Sequence, residues 1–311
     1  MNKILNLFVS NFLVLTFFLK KKFIKKKSSI IEVIIFSYNR VLQLDSLLKS
    51  LEYFFDRKIQ INVIFKSDKN FKNSYKKLIY KYEKNKNIIF FEQVYHFKKS
   101  LNLLLKKIQS ENKHNKEILF FVDDQIIFQR IDSKMLEGML SIAPIATFRL
   151  GLNTTYSYNL DKEQSHKGYS YSLKDDFLSW KPKFKRDDFS YIFSFDASTI
   201  PFELFYGFSK YLSYRGPNSL ESYMNYGGLT YKLLNLGVCS MKIQKVINIV
   251  ISKVQNETEN RGVFIENEKL NLLFEKDWSL SLDNNKIKKF NSPHTNNGYY
   301  IKKKGKIKFL N

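Results

Sequence analysis

The residues best placed to do chemistry in this chain are the adjacent acids Asp123 and Asp124. They follow directly on Ile118-Leu119-Phe120-Phe121-Val122, an apolar run that reads as a buried strand, so both carboxylates are expected at the rim of a sheet. Hard divalent cations take oxygen ligands, and Mg2+ or Mn2+ is commonly held by one or two carboxylates together with substrate phosphates. A cation so held neutralises a departing diphosphate. The plainer alternative is that paired acids after a strand cap the next helix or face solvent. The strand-like Gln125-Ile126-Ile127-Phe128 that follows favours the site.

Two further polar tails end apolar runs. In Ser37-Tyr38-Asn39-Arg40, backbone N–H groups and Asn39 can grip a base or ribose, Tyr38 can stack, and Arg40 can meet phosphate. Ser37 or Asn39 can equally cap the following helix. In Lys66-Ser67-Asp68, Asp68 either contacts the nucleoside or caps a helix at about 71–84.

The elements that must position these tails alternate in type. Apolar runs at 31–36, 61–65, 88–91 and 118–122 read as strands. Between them, apolar residues at helical spacing give helices over 41–55, 71–84 and 98–109. Such alternation predicts an α/β fold with a mostly parallel central sheet and helices on both faces. Ligands of such sheets bind beyond the carboxyl ends of the strands, where all three polar tails fall. Residues 151–187 lose the pattern and read as a long loop or insertion over that face. Beyond it come Tyr191 to Asp196, a helix through about Tyr214, a turn at Gly216-Pro217-Asn218, a helix opened by Ser219-Leu220-Glu221, and a strand at Val246 to Val250.

Composition narrows the class. With 311 residues, 44% of them hydrophobic, the chain can bury a sizeable core. One cysteine, Cys239, excludes an intramolecular disulfide, and one Cys with four scattered His offers no zinc-ligand spacing. The net charge of +23 suits nucleic acid, anionic lipid or phosphorylated ligands. Lys, Asn, Ile, Phe and Tyr are abundant together, however, and their AT-rich codons can supply lysine without function. No nucleic-acid motif accompanies the charge, so no nucleic-acid partner is expected. The histidines at 96, 114, 166 and 294 are expected at the surface, and Lys98 and Arg149 on solvated faces rather than on phosphate. Trp180 and the tyrosines near 156–171 either stack on sugar rings or pack within their loop.

Ile4 to Leu19 is nearly apolar and is followed by Lys20-Lys21-Lys22-Phe23-Ile24-Lys25-Lys26-Lys27. The run falls short of the roughly 20 apolar residues of a spanning helix. A helix lying in the interface of an anionic membrane is the leading reading, with a single-pass anchor or a buried leader as alternatives. Lys302-Lys303-Lys304-Gly305-Lys306 is expected to be a solvated tail.

Phe36-Ser37-Tyr38-Asn39-Arg40, Leu42 to Leu51 and Phe120 to Phe128 resemble the nucleotide-sugar half of GT-A fold glycosyltransferases of the family 2 type. Phe195-Asp196-Ala197-Ser198, Pro217-Asn218-Ser219-Leu220-Glu221 and Ile247-Asn248-Ile249 with Lys253-Val254-Gln255 are similar to the acceptor half of a group of bacterial members. The resemblance runs from about residue 30 to 260 and implies a GT-A domain there; the apolar and polybasic run before it reads as a membrane-associating leader over 1–29, and 261–311 is left as a C-terminal extension. Within the domain, 30–130 would be the nucleotide-sugar half and 131–260 the acceptor half. The resemblance also implies transfer of a sugar from a nucleoside-diphosphate sugar to a saccharide or lipid-linked acceptor, with Mn2+ or Mg2+; the basic leader suits a cytoplasmic place at the inner membrane face. Asp124 would be the main metal ligand and Asp123 its helper, both beside the diphosphate. The family's spacing is Asp-any-Asp; here Val122 takes the first place, which leaves open a one-carboxylate metal or weak metal dependence. Ser37, Tyr38, Asn39, Arg40, Ser67 and Asp68 would line the donor. Asp196 and Glu221 are candidates for the base that takes the acceptor proton, against the plainer roles of a strand-end hydrogen bond and a helix N-terminal charge. Other readings are a non-catalytic basic binding module and an inactive transferase-like domain. A nucleotidyltransferase is disfavoured because residues 37–42 lack glycine.

Overall fold

A computed structural model describes residues 3–21, 30–55, 59–111, 116–253, 264–281, 290–296 and 299–310. Lys22 to Lys27 and Val254-Gln255 lie outside the described residues. The chain opens with helix α1 (Lys3–Lys21). Then follow β1 (Ile30–Tyr38), α2 (Val41–Phe54), β2 (Gln60–Lys66), α3 (Lys72–Tyr82), β3 (Ile88–Glu92), α4 (Phe97–Glu111) and β4 (Lys116–Val122). These match the expected elements to within a few residues.

β3, β2, β1 and β4 lie side by side in parallel, with Phe36 level with Ile64 on one side and Val122 on the other. Period-two alternation sends successive strand residues to opposite faces. Val33, Ile35, Val63 and Phe121 pack with α2 and α3, whereas Ile34, Phe36, Ile64 and Phe120 pack with α4. Helices therefore cover both faces, as the unbroken apolar runs required. The shared register sets the ends of β1, β2 and β4 at one rim, so the three polar tails meet there.

The second half is more mixed. β5 (Gln125–Ile127), α5 (Ser133–Ile142) and β6 (Ile145–Thr147) follow the acidic pair. The segment 151–187 is not simply a loop. It holds the hairpin β7 (Tyr156–Ser157) and β8 (Lys162–Glu163), then the hairpin β9 (Tyr171–Lys174) and β10 (Phe177–Trp180). β11 (Thr199–Pro201) adds an antiparallel edge beside β4. After α6 (Phe202–Tyr211), α7 (Pro217–Met224) and α8 (Gly228–Leu233) come β12 (Val238–Met241) and β13 (Val246–Ile249). β12 joins β10 to β6, and β13 pairs with β5.

The last segment begins with α9 (Asn267–Glu275), packed near α2, then β14 (Ser279–Leu280) and β15 (His294–Thr295). The lysine-rich end is not a loose tail. It forms β16 (Tyr299–Lys303) and β17 (Lys306–Leu310), turning through Lys304 and Gly305 at φ 43° and 80°. Glycine suits the second of those left-handed positions because it has no Cβ to clash.

Candidate active site

The site begins where β1 ends. Asn39 takes a left-handed backbone (φ 53°), a conformation that Asn adopts more readily than most residues. Its Nδ2 donates to Asp68 Oδ2 at 2.7 Å, and its Oδ1 accepts from the Asp68 N–H at 2.9 Å. Tyr38 Oη donates to the same Asp68 oxygen at 2.9 Å. Asp68 is exposed and precedes a short helical turn without capping it through its side chain, so its carboxylate is free to tie two loops together. Ser67, half-buried, lies between it and β2. Burial, reinforced by Asp68, raises the Tyr38 phenol above its ordinary range. Ser37 is buried, and its hydroxyl is engaged within the protein, pairing with Tyr75 Oη at 2.7 Å and stabilising the Asp123 carboxylate.

Arg40 also departs from expectation. Instead of waiting for phosphate, its guanidinium is buried among protein acceptors. One terminal nitrogen donates to Asp124 Oδ2 at 2.9 Å and Asp123 Oδ1 at 3.2 Å, and the other to the Ser252 carbonyl at 2.6 Å. Burial opposes its charge, but Asp124 and Asp123 outweigh burial and hold it protonated. Asp123 has its other oxygen on the Tyr38 N–H at 3.0 Å. Burial pushes Asp123 up to about 6 against the pull of Arg40. Asp124 is raised too, by burial first, with Arg40 opposing and Asp196 adding to the rise.

These contacts test the metal expected here. Asp123 is 4% exposed and has a hydrogen bond on each oxygen, so it supports the β1 tail and is less open to a cation than Asp124. Asp124 keeps its outer oxygen only loosely held, 3.4 Å from Asn248 Nδ2. Among the described residues no group of three or more His, Cys, Asp or Glu side chains gathers as metal ligands. The donor set therefore fits a cation held on one carboxylate, with substrate oxygens completing its shell, and does not fit a protein-built cage.

A second group of side chains adjoins the first through Asn248, a polar residue inside the buried strand β13. Its Nδ2 reaches Asp196 Oδ1 at 2.9 Å as well as Asp124, and its Oδ1 accepts from Gln125 Nε2 at 2.9 Å. Gln125 is held in turn by the Val122 N–H, 3.0 Å from its Oε1. The residue after Asp196, Ala197, turns the chain at φ 45°, an uncommon backbone for a residue with a Cβ. On its far side Asp196 Oδ2 lies 3.4 Å from His294 Nε2, brought there by the pairing of β15 with β13. Burial would raise the Asp196 carboxyl, but His294 outweighs it and the net shift is downward; by the same pairing His294 is raised despite its burial.

Glu221 sits in the middle of α7, and its Oε1 accepts from the Phe195 N–H at 2.8 Å. Burial first, then the neighbouring charge of Asp196, pushes Glu221 up to about 7. Two carboxyl groups thus lie close together with proton affinities driven apart, an arrangement that separates a standing anion from a group able to accept a proton near neutrality.

Of the expected site residues, the structure gathers Tyr38, Asn39, Arg40, Asp68, Asp123, Asp124, Asp196 and Glu221 at one rim. Sequence reasoning missed Gln125 and His294, and assigned no role to Asn248. An Asn amid Val246-Ile247 and Ile249-Val250 was the available signal, since a polar side chain in a buried strand needs a partner. His294 is not a surface histidine. Arg149 is neither solvated nor on phosphate: it is buried, donating to Asp188 Oδ1 at 3.1 Å and to the carbonyls of Asp188 and Tyr191. Trp180 packs in the core with its indole N–H on the Phe189 carbonyl, and Lys98 bonds the Leu212 carbonyl.

Several solved structures are similar to parts of this chain. S. aureus TarS 1–349 in complex with UDP-GlcNAc is similar at 12% identity, over 74% of this chain and 60% of that one, with a TM-score of 0.47. GalNAc-T7 with UDP, GalNAc and Mn2+ is similar at 12% identity, over 73% and 44%, with a TM-score of 0.43. The 4-diphosphocytidyl-2C-methyl-D-erythritol synthase of Anaerococcus prevotii is similar at 13% identity, over 80% and 97%, with a TM-score of 0.39. The glycosyltransferases among these neighbours are of the GT-A type, the fold that the sequence resemblance implies. This chain spans 60% or less of the TarS chains it matches. No family model and no curated protein matches the sequence. At such identities and scores the description of the fold rests on strand order and register, given above.

Proposed function

We propose that this chain is a glycosyltransferase that moves a sugar from a nucleoside-diphosphate sugar to a hydroxyl of a saccharide or lipid-linked acceptor. The observation that carries the reading is the linkage at one sheet rim of Asp124 to Asp196 through Asn248, with Glu221 beside them and raised to about 7. The tied loop of Tyr38, Asn39 and Asp68 borders that rim and offers polar groups and a ring for the nucleoside. Glu221 takes the proton of the acceptor hydroxyl as its oxygen bonds the anomeric carbon, and the bond from that carbon to the diphosphate breaks, the electron pair leaving with the diphosphate. Asp196, kept anionic by His294, maintains the field that holds Glu221 near neutrality. Asp124 would hold Mn2+ or Mg2+, which when bound supplies positive charge to the departing diphosphate. Arg40 keeps Asp124 in place from behind.

Thermal unfolding of the purified protein with UDP-, GDP-, CMP- and dTDP-sugars, with and without Mn2+, tests this. A ligand that binds the folded state raises its melting temperature, so one donor class should give an upward shift. Asp124→Asn should lose the part of that shift that depends on Mn2+. Absence of a shift with every donor would count against the proposal.

A further inference from the structure

Helix α1 has its polarity inverted for a surface helix. Three of its polar side chains reach the protein: Asn6 exchanges hydrogen bonds with the Ser213 carbonyl and N–H at 3.1 and 2.9 Å. Ser10 donates to the Met224 carbonyl at 3.1 Å, and Asn11 Oδ1 accepts from the Thr230 N–H at 3.0 Å and its hydroxyl at 2.7 Å. Val14 and Phe18 are buried on the same side, and Gly227 comes so close that a Cβ there would meet Val14 Cγ2 at 2.7 Å. The outward stripe, in contrast, is apolar. Ile4, Leu5, Phe8, Phe12, Leu15 and Leu19 recur at helical spacing, with Ile4 71%, Phe8 68% and Phe12 64% exposed. α8, on which α1 rests, also carries exposed Leu229 and Leu233.

By length and composition Lys3–Lys20 is apolar enough to cross a membrane. Crossing would strip Asn6, Ser10 and Asn11 of their partners and pull Val14 and Phe18 from the core. Lying flat keeps every one of those contacts and covers the outer stripe. Lys20 and Lys21 end the helix, and Lys22, Lys25, Lys26 and Lys27 follow in the sequence, a cationic run suited to anionic head groups.

We propose that α1 is a built-in docking helix that lies in the plane of an anionic bilayer, its polar side joined to α6, α7 and α8 and its Phe8–Phe12 side buried among lipid chains. This goes beyond sugar transfer and is independent of it. The partner is a lipid surface because the outer stripe is long and carries exposed Phe8 and Phe12, and a run of lysines follows it in the sequence, whereas Asn6, Ser10 and the Asn11 Oδ1 are turned inward onto the protein. Because α1 rests on α6 and α7, the Glu221-bearing half of the site is held at a set position relative to the bilayer.

The test is sedimentation of the full chain with phosphatidylcholine vesicles, with and without phosphatidylglycerol, in the absence of any sugar donor. The chain should pellet with the anionic vesicles and be released by alkaline carbonate. Phe8→Glu with Phe12→Glu should lower the bound fraction about tenfold or more, with melting temperature unchanged, and Phe12→Ser alone should give a smaller loss. Tyr53→Glu, on an exposed site of α2, should bind as the parent does. Failure to pellet, equal pelleting of the double variant, or resistance to carbonate would overturn the proposal. So would a concentration-dependent dimer that the double variant dissolves while the parent ignores vesicles. Donor binding enters none of these readouts, so failure here leaves the transferase reading standing.

Discussion

Arg40 and Asp124 lie 2.9 Å apart at the carboxyl end of the central sheet, and the guanidinium nitrogen that joins them also reaches Asp123 at 3.2 Å. Each of these three side chains is buried or nearly so, and removing one partner of a buried ion pair leaves charge without compensation. Arg40→Met should therefore destabilise the fold by about 3–5 kcal/mol in denaturant unfolding. Arg40→Lys should recover only part of this, because a point charge cannot bridge the acids and the Ser252 carbonyl together.

Glu221 gives a prediction with a definite sign. Its carboxyl is raised to about 7 in the folded chain from an ordinary value of 4.5. The folded state thus binds the proton more tightly than the unfolded one, so this stabilisation is full below 4.5 and is lost as pH rises through about 7. Glu221→Gln keeps the bond from the Phe195 N–H and never ionises. Above neutrality the variant should melt higher than the parent, and the gap should close on acidification. Transfer should fall roughly 10²–10⁴-fold, and the rise in parental kcat/KM through neutral pH should vanish. A variant with full activity would remove Glu221 from the role of base.

The first half of the fold was legible because its strands are buried on both faces and its helices on one, patterns that periodicity reports directly. The rim residues followed from strand ends alone. What periodicity could not report were pairings made at long range by short elements. β11 has three residues, and β15 has two, yet β15 brings His294 from the far end of the chain to Asp196. Nor does residue type disclose whether a charge is spent inside the protein. Arg40 and Asp123 looked free for a ligand, and each is committed to the other. The hairpins within 151–187 escaped because β8 and β9 are exposed throughout, and β10, though it buries Leu178 and Trp180 in alternation, is only four residues long.

Asn39 joins backbone conformation to loop order. Its φ of 53° disfavours a Cβ-bearing residue without a local bond, and its amide makes both links to Asp68. Asn39→Gly should restore the backbone but not the links, and Asn39→Ala should lose both. The expected order of stability is parent, Gly, then Ala, with the Ala variant down by about 1–3 kcal/mol. Weaker donor binding should accompany both substitutions in the thermal-shift assay, most of all for the nucleoside contribution.

Gly227 tests whether α1 belongs to the folded body. Its backbone is ordinary, at φ −65°, so any effect of a side chain there is steric. A Cβ would meet Val14 Cγ2 at 2.7 Å, Ser10 Oγ at 2.8 Å and the Ser10 carbonyl at 3.0 Å, the last being backbone that cannot rotate aside. Gly227→Ala must then push α1 outward, weakening the Ser10 bond to the Met224 carbonyl and opening the Val14 contact. A loss of about 1–3 kcal/mol is expected, in line with overpacking elsewhere. Amide exchange should locate it: protection should fall in α1 and α8 and stay unchanged in β1 and β4. Uniform loss across the central sheet would mean that α1 and the sheet unfold as one unit, and unchanged protection in α1 would mean that it does not rest on Gly227.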